Sequence, residues 1–376
     1  MQNSDVFSLL KATGTDSRLL DIAEKALNGE RISFDEGVTL YREGEIPFLS
    51  MLSNAVRQRI NDEYVYFNRN FHIEPTNICE SHCSFCSYRR DAGEEGSWEH
   101  SLDDIRRKAE SYVGKELTEV HIVGAVHPDR DLFYYADLVK TVKSVLPDIH
   151  IKGFTAVEID AMIKKSGLSL EEGLQALKKA GLDSMPGGGA EIFDEKTRAR
   201  ICPDKTDTAG WLKIHETAHR LGIPSNATML YGLIETYEHR IDHMNRLRDL
   251  QDRSNGFNTF IPLKFRHSNN AFSHIAESTT MEDLKNYAVA RIFLDNIPHL
   301  KAYWPMIGKS VSQLSLAFGV DDLDGTIDDS TKIYSMAGAE EQNPSASTDE
   351  LVKMIKTAGK VPVERDTLYN IVRRFD

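Results

Sequence analysis

From about residue 70 to residue 325, strand-like and helix-like stretches alternate at roughly 25–40-residue intervals, the pattern of repeated βαβ units on a parallel sheet. Strands are expected at 71–78, 119–126, 150–155, 184–189, 225–231, 259–265 and 301–306. Helices are expected between them, at 102–112, 131–145, 169–180, 208–221, 237–251 and 281–296. About six to eight such units favour a (β/α) TIM-type barrel over an open doubly wound sheet. Nothing resembling a long Pro/Gly/Ser linker divides the run.

The flanks read differently. Residues 1–60 have apolar positions at helical spacing, with Asn28-Gly29 as a break and Ser33 as a helix cap answered by Glu36. This predicts an N-terminal helical extension, then a barrel over 61–325. Residues 326–376 are expected to form a C-terminal helical extension packed on it, with closing helices at 347–359 and 364–375.

Composition excludes more than it identifies. With 45 Lys plus Arg against 58 Asp plus Glu, the chain carries a net charge of −13. That argues against a nucleic-acid partner, which needs a basic surface. No apolar run approaches the ~20 residues of a membrane span. The polar N-terminus lacks the apolar stretch of a signal peptide, so a cytoplasmic location with no membrane partner is expected.

The cysteines carry the chemistry. Three of the four, Cys79, Cys83 and Cys86, are spaced CxxxCxxC, which is not the layout of a secreted disulfide framework. Three thiolates on one short loop can ligate three corners of a cubic iron–sulfur cluster and leave one iron open. A structural zinc site would more often pair two CxxC units. Cys202, far along the chain, reads as a small buried hydrophobe.

A CxxxCxxC loop after a first barrel strand resembles the radical S-adenosylmethionine (SAM) enzymes. NRNFHIEPTNIC, ELTEVHIVGAVHP, KGFTAVEI, PGGGAEIF, SNATMLYG, FIPLKF and DLDGTIDD together are similar to the aminofutalosine synthases of the futalosine route to menaquinone. The likeness is shared in part with the dehypoxanthine futalosine cyclases and the FO synthases. It implies a [4Fe–4S] cluster on Cys79, Cys83 and Cys86, and SAM consumed as co-substrate. It also implies addition of the 5′-deoxyadenosyl radical to 3-[(1-carboxyvinyl)oxy]benzoate, and an external reductant of flavodoxin or ferredoxin type.

The same resemblance implies SAM contacts at Phe85, Gly124, Ala125, Glu158, Tyr231 and Gly232, and catalytic roles for His72 and Glu235. Substrate contacts are expected at Asn77, His127, Gly187, Gly188, Gly189, Lys264 and Arg266. Glu158 has a plainer reading as a helix-start carboxylate, and Gly187–Gly189 as a tight turn. Departures stand beside the matches. No Glu follows Gly124-Ala125, and Leu233 occupies a position where His is expected. LQDRSNGF carries Arg253, Ser254 and Asn255 in place of an expected ETG. Asp321, Asp322 and Asp324 lack the spacing of a calcium loop and read as solvated acids at a strand end.

Overall fold

The computed structural model describes residues 3–326, 332–340, 342 and 344–375. Its strands are β1 (Tyr64–Asn68), β2 (Asn70–Ile73), β3 (Glu119–Ile122), β4 (His150–Gly153) and β5 (Ser225–Tyr231). They continue with β6 (Phe257–Lys264), β7 (His299–Leu300), β8 (Asp322–Gly325), β9 (Val361–Arg365) and β10 (Ile371–Arg374). β2 pairs with β3, and β3 with β4, all parallel. Ser184 and Met185 bridge Lys152 of β4 to Ser225 of β5. β5 pairs with β6 and β6 with β7, again parallel. Lys301 then bridges to Asp322 of β8, and β8 pairs with β1. Because β1 and β2 are consecutive, broken only at Arg69, the ring closes: this is a TIM-type (β/α) barrel.

Alternation along each strand sorts side chains between the two faces. In β5 every residue is buried. Asn226, Thr228 and Leu230 face the barrel cavity, while Ala227, Met229 and Tyr231 belong to the packed core. Helices follow the strands and are started by side-chain caps, such as Asp131 accepting from Tyr134 N–H and Ser169 from Glu172 N–H. Four helices, Asn3–Ala12, Ser17–Asn28, Phe34–Glu43 and Ile46–Asn61, precede the barrel, and the last two pack on Thr280–Phe293. Gly29 caps Ser17–Asn28 in the left-handed region, and Ser33 and Glu36 form a capping box. Among the described residues no helix is long and apolar enough to cross a membrane.

Several expectations are corrected. The strand expected at 301–306 is not formed; Trp304–Ile307 is one helical turn that Pro305 opens, where a missing N–H costs nothing. The strands expected to reach 78 and 126 stop at Ile73 and Ile122, and the chain beyond becomes loop. The closing helix Thr348–Thr357 is present, but 364–375 is not helical. It holds β10 and the end of β9, a hairpin whose first strand lies parallel on β1. Val361 and Val363 alternate there, and Asp366 accepts the N–H groups of Leu368 and Asn370 to build the turn. Asp321, Asp322 and Asp324 are not solvated: all are buried and salt-bridged, to Arg291, Arg365 and Lys301 respectively. Asp328 and Asp329 of the same acidic run lie outside the described residues.

Candidate active site

The loop after β2 is pinned on both sides of its thiols. Thr76 Oγ1 donates to Trp98 O, and Asn77 donates to Gly96 O and accepts from Trp98 N–H. Further along, Cys79 N–H donates to Arg90 O, Glu80 N–H to Val126 O, and Ser84 N–H to Ile201 O. Backbone thus moors the loop to three other stretches, at Arg90, Val126 and Ile201, so protein contacts position the thiols. Cys83 is buried, Cys79 and Cys86 are half-buried, and none is in a disulfide.

All three thiols line one cavity of about 310 Å³ at the C-terminal end of the barrel strands. The cavity gathers six segments distant in sequence: the cysteine loop with His72 and Phe85; Gly124 and Ala125; Thr155 and Glu158; Gly187–Gly189; Thr228 and Leu230; and Lys264 with Arg266. Among the described residues, no three His, Cys, Asp or Glu side chains converge as a single-ion site requires. Three thiols lining one cavity are a donor set that suits a polynuclear cluster, whose corners are ligated separately. Burial pushes the Cys83 thiol up to about 12 and raises Cys79 as well. Ligation therefore has to displace protons from these sulfurs.

Lys205, not anticipated from the sequence, stands beside them. Its Nζ lies 2.5 Å from Glu191 Oε1 and 5.2 Å from the Phe85 ring centre. Burial opposes its charge, but Cys83 and Glu191 together outweigh that and hold it protonated. A fixed cation next to the thiols favours their anionic form.

The glycine run is required by packing. A Cβ on Gly187 would lie 2.6 Å from Asn226 O and 2.8 Å from Thr228 N, both backbone atoms of β5. Gly189 has φ +84° and would meet Val157 at 2.5 Å. Glu158 closes the capping box expected of a helix-start carboxylate, with Thr155, and it also lines the cavity. Its carboxylate accepts the Gly124 N–H at 3.1 Å and the Thr155 N–H at 2.7 Å, and burial raises its pKa.

Other expected residues lie behind the wall. Asn77 is spent on the loop contacts above. His127 faces Glu99 and accepts the Asp129 N–H, outside the main cavity. Tyr231 is fully buried and donates to Asp283. Glu235 accepts the N–H groups of Gly232 and Leu233 and pairs with Arg240, so it shapes the turn after β5. Leu233, in the place of the expected His, packs against the core. Cys202 is buried nearby and does not line the cavity. Lys264 and Arg266 do line it, but both are engaged: Lys264 with Ser278 O and Asp283, Arg266 with Glu277 and Gly338 O.

The closed end of the cavity is polar, which the sequence alone did not reveal. His72, His121, Lys152, Lys301 and Asp324 line it. Burial, with Lys152 and His72 as neighbours, holds His121 well below its usual value and therefore neutral. Barrel interiors are commonly filled with branched apolar side chains, so this floor is a departure.

Comparison with known proteins agrees with this geometry. The profile of the Radical SAM superfamily matches residues 73–247, and that of the CofH/MqnC C-terminal region matches residues 254–375. An aminodeoxyfutalosine synthase of Thermus thermophilus is 46% identical over 366 residues, spanning 96% of this chain and 98% of that protein. A cyclic dehypoxanthine futalosine synthase of Streptomyces coelicolor is 37% identical, over 93% of this chain and 88% of its own length. Methylornithine synthase PylB superimposes with a TM-score of 0.72 over 91% of this chain and 97% of that one. At 16% identity, that likeness speaks for the fold alone.

Proposed function

Since the chain belongs to the radical SAM superfamily, on the branch of the aminodeoxyfutalosine synthases, we propose that it joins the adenosyl group of SAM to 3-[(1-carboxyvinyl)oxy]benzoate. The product of that reaction is 6-amino-6-deoxyfutalosine, formed with loss of the carboxyl group. Enzymes of this class use a [4Fe–4S] cluster and SAM, which when bound supply the 5′-deoxyadenosyl radical. The observation that carries the reading is 46% identity along nearly the whole chain, together with three thiols lining one cavity at the end of the barrel strands.

In this reading Cys79, Cys83 and Cys86 hold the cluster, and Lys205 offsets the negative charge gathered there. Gly124, Ala125, Phe85 and Glu158 form the SAM-facing wall, and Gly187–Gly189 let backbone approach the ligands closely. Tyr231, Gly232 and Glu235 act from behind by fixing the end of β5. The barrel holds the alkene beside the reacting carbon and keeps water and stray hydrogen donors away. A one-electron reductant of flavodoxin or ferredoxin type delivers the electron from outside.

A second reading follows from the 37% identical cyclase: hydrogen abstraction followed by ring closure. Anaerobic turnover with SAM, dithionite and the enol-ether benzoate separates the two. The synthase reading requires a product whose mass includes the adenosyl group. Release of free 5′-deoxyadenosine with no adenosylated product would replace it with the cyclase.

A further inference from the structure

We infer that Lys152 and Lys301 form the seat for the ring carboxylate of an aryl carboxylate substrate at the closed end of the cavity. The inference rests on the reading of the substrate as an aryl ether with two carboxylates.

Both lysines are almost fully buried, and both line the cavity. They come from opposite sides of the ring, Lys152 from β4 and Lys301 from the residue after β7. Each has one short carboxylate contact, Lys152 to Glu119 at 2.6 Å and Lys301 to Asp324 at 2.6 Å, with Asp322 farther from Lys301 at 3.9 Å. An ammonium carries three N–H donors, so neither contact exhausts its lysine. The partner acids are anchored from outside the cavity. Glu119 accepts the Thr367 hydroxyl at 2.8 Å, and Asp324 N–H is bound to Asp322, which in turn holds Arg365. Glu119 thus holds Lys152 from behind the cavity wall, while Asp324 holds Lys301 from a position on the lining itself.

Burying two ion pairs in a barrel core is costly, and well-packed apolar residues would serve stability as well or better. A ligand anion completing the donors of both ammonium groups gives the arrangement a purpose. The cations nearer the mouth are less suited, because Lys264 and Arg266 each already hold two acceptors. The neighbouring wall suits an arene: Tyr303 and Tyr334 line the cavity with ring centres 5.3 Å apart.

Position selects which carboxylate sits there. The thiols lie on the loop beyond the end of β2, and the lysines lie within the ring. The enol-ether carboxylate is attached to the reacting alkene and stays at the thiol end. The benzoate carboxylate, across the arene, is the one that reaches the floor.

The test uses two unreactive probes on the reconstituted enzyme, measured by calorimetry. These are 3-(carboxymethoxy)benzoate and 3-(carboxymethoxy)benzamide, which differ only in the ring charge. The unaltered enzyme should prefer the benzoate by about tenfold or more. Lys152→Gln and Lys301→Gln should each cut that preference to under about threefold and leave the amide affinity unchanged. Should either variant fail to fold, Lys152→Gln/Glu119→Gln and Lys301→Gln/Asp324→Asn keep the floor neutral and give the same readout. Full preference in the variants, or none in the unaltered enzyme, overturns the assignment. Adenosyl incorporation is scored separately. Turnover with no lysine dependence sinks the seat alone; a lysine-dependent preference without turnover keeps the seat and sinks the synthase reading.

Discussion

Lys264 Nζ lies 2.8 Å from Asp283 Oδ2 in a buried ion pair at the end of β6, and Asp283 also accepts the hydroxyls of Tyr231 and Ser278. One carboxylate thus ties the ends of β5 and β6 to helix Thr280–Phe293. Removing its cation leaves a buried carboxylate with two hydroxyl donors but no countercharge. Lys264→Met should cost about 3–5 kcal/mol of stability, read by urea unfolding. A variant with wild-type stability and a raised substrate KM would show instead that Lys264 is a substrate contact.

The thiols give a second prediction. Cys79→Ala, Cys83→Ala and Cys86→Ala each remove one of three ligands and should leave almost no iron after anaerobic reconstitution. Cys202→Ala should keep about four irons per chain, because Cys202 is buried away from the cavity wall. Equal iron loss in all four variants would disprove the ligand set.

Gly187 makes a third. An added methyl would meet backbone of β5 at 2.6 Å, and backbone cannot swing aside as a side chain can. Gly187→Ala should therefore shift the turn and cost about 1–3 kcal/mol. Gly114→Ala, at a position with open space around it but φ +82°, tests strain without a clash and should cost less. A Gly187→Ala protein as stable as the parent, by thermal melting, would remove the packing argument.

What could be read from the sequence was local. β5 was placed over the same residues that form it, because seven residues lie between clear punctuation at Pro224 and Gly232. The thiol loop was legible because ligand spacing is a short-range property. The floor of the cavity was not. Glu119 and Lys152 meet only through the register that sets His121 opposite Lys152. Asp324 and Lys301 meet only because β8 lies next to β7. In the chain, each of these residues looks like one more surface charge. The C-terminal hairpin was missed for a related reason. The segment around Arg365 becomes a strand because β1 offers it a free edge, and Arg365 then reaches Asp322. The sequence offers Lys264 and Arg266 as substrate contacts, and only the folded chain shows which acids they already hold.

The last prediction concerns pH. His243 is buried and His219 half-buried, and desolvation lowers their pKa values to about 3 and about 4 respectively. His219 is held between the hydroxyls of Ser254 and Ser225, each at 2.7 Å, and His243 bonds to Thr228 O at 2.8 Å. These partners fit a neutral ring. In the unfolded chain both histidines titrate near 6.5. The folded values are depressed, so below 6.5 the unfolded state binds the extra proton, and stability falls as pH falls. The loss begins near 6.5 and, for His219, is complete near its folded value of about 4. Between pH 7 and pH 5 each histidine should remove about 2 kcal/mol. His219→Gln, which keeps a polar group beside the two serines, should flatten the pH dependence by that amount. Urea unfolding at the two pH values measures it, and an unchanged difference in the variant would mean that His219 is protonated in the folded protein.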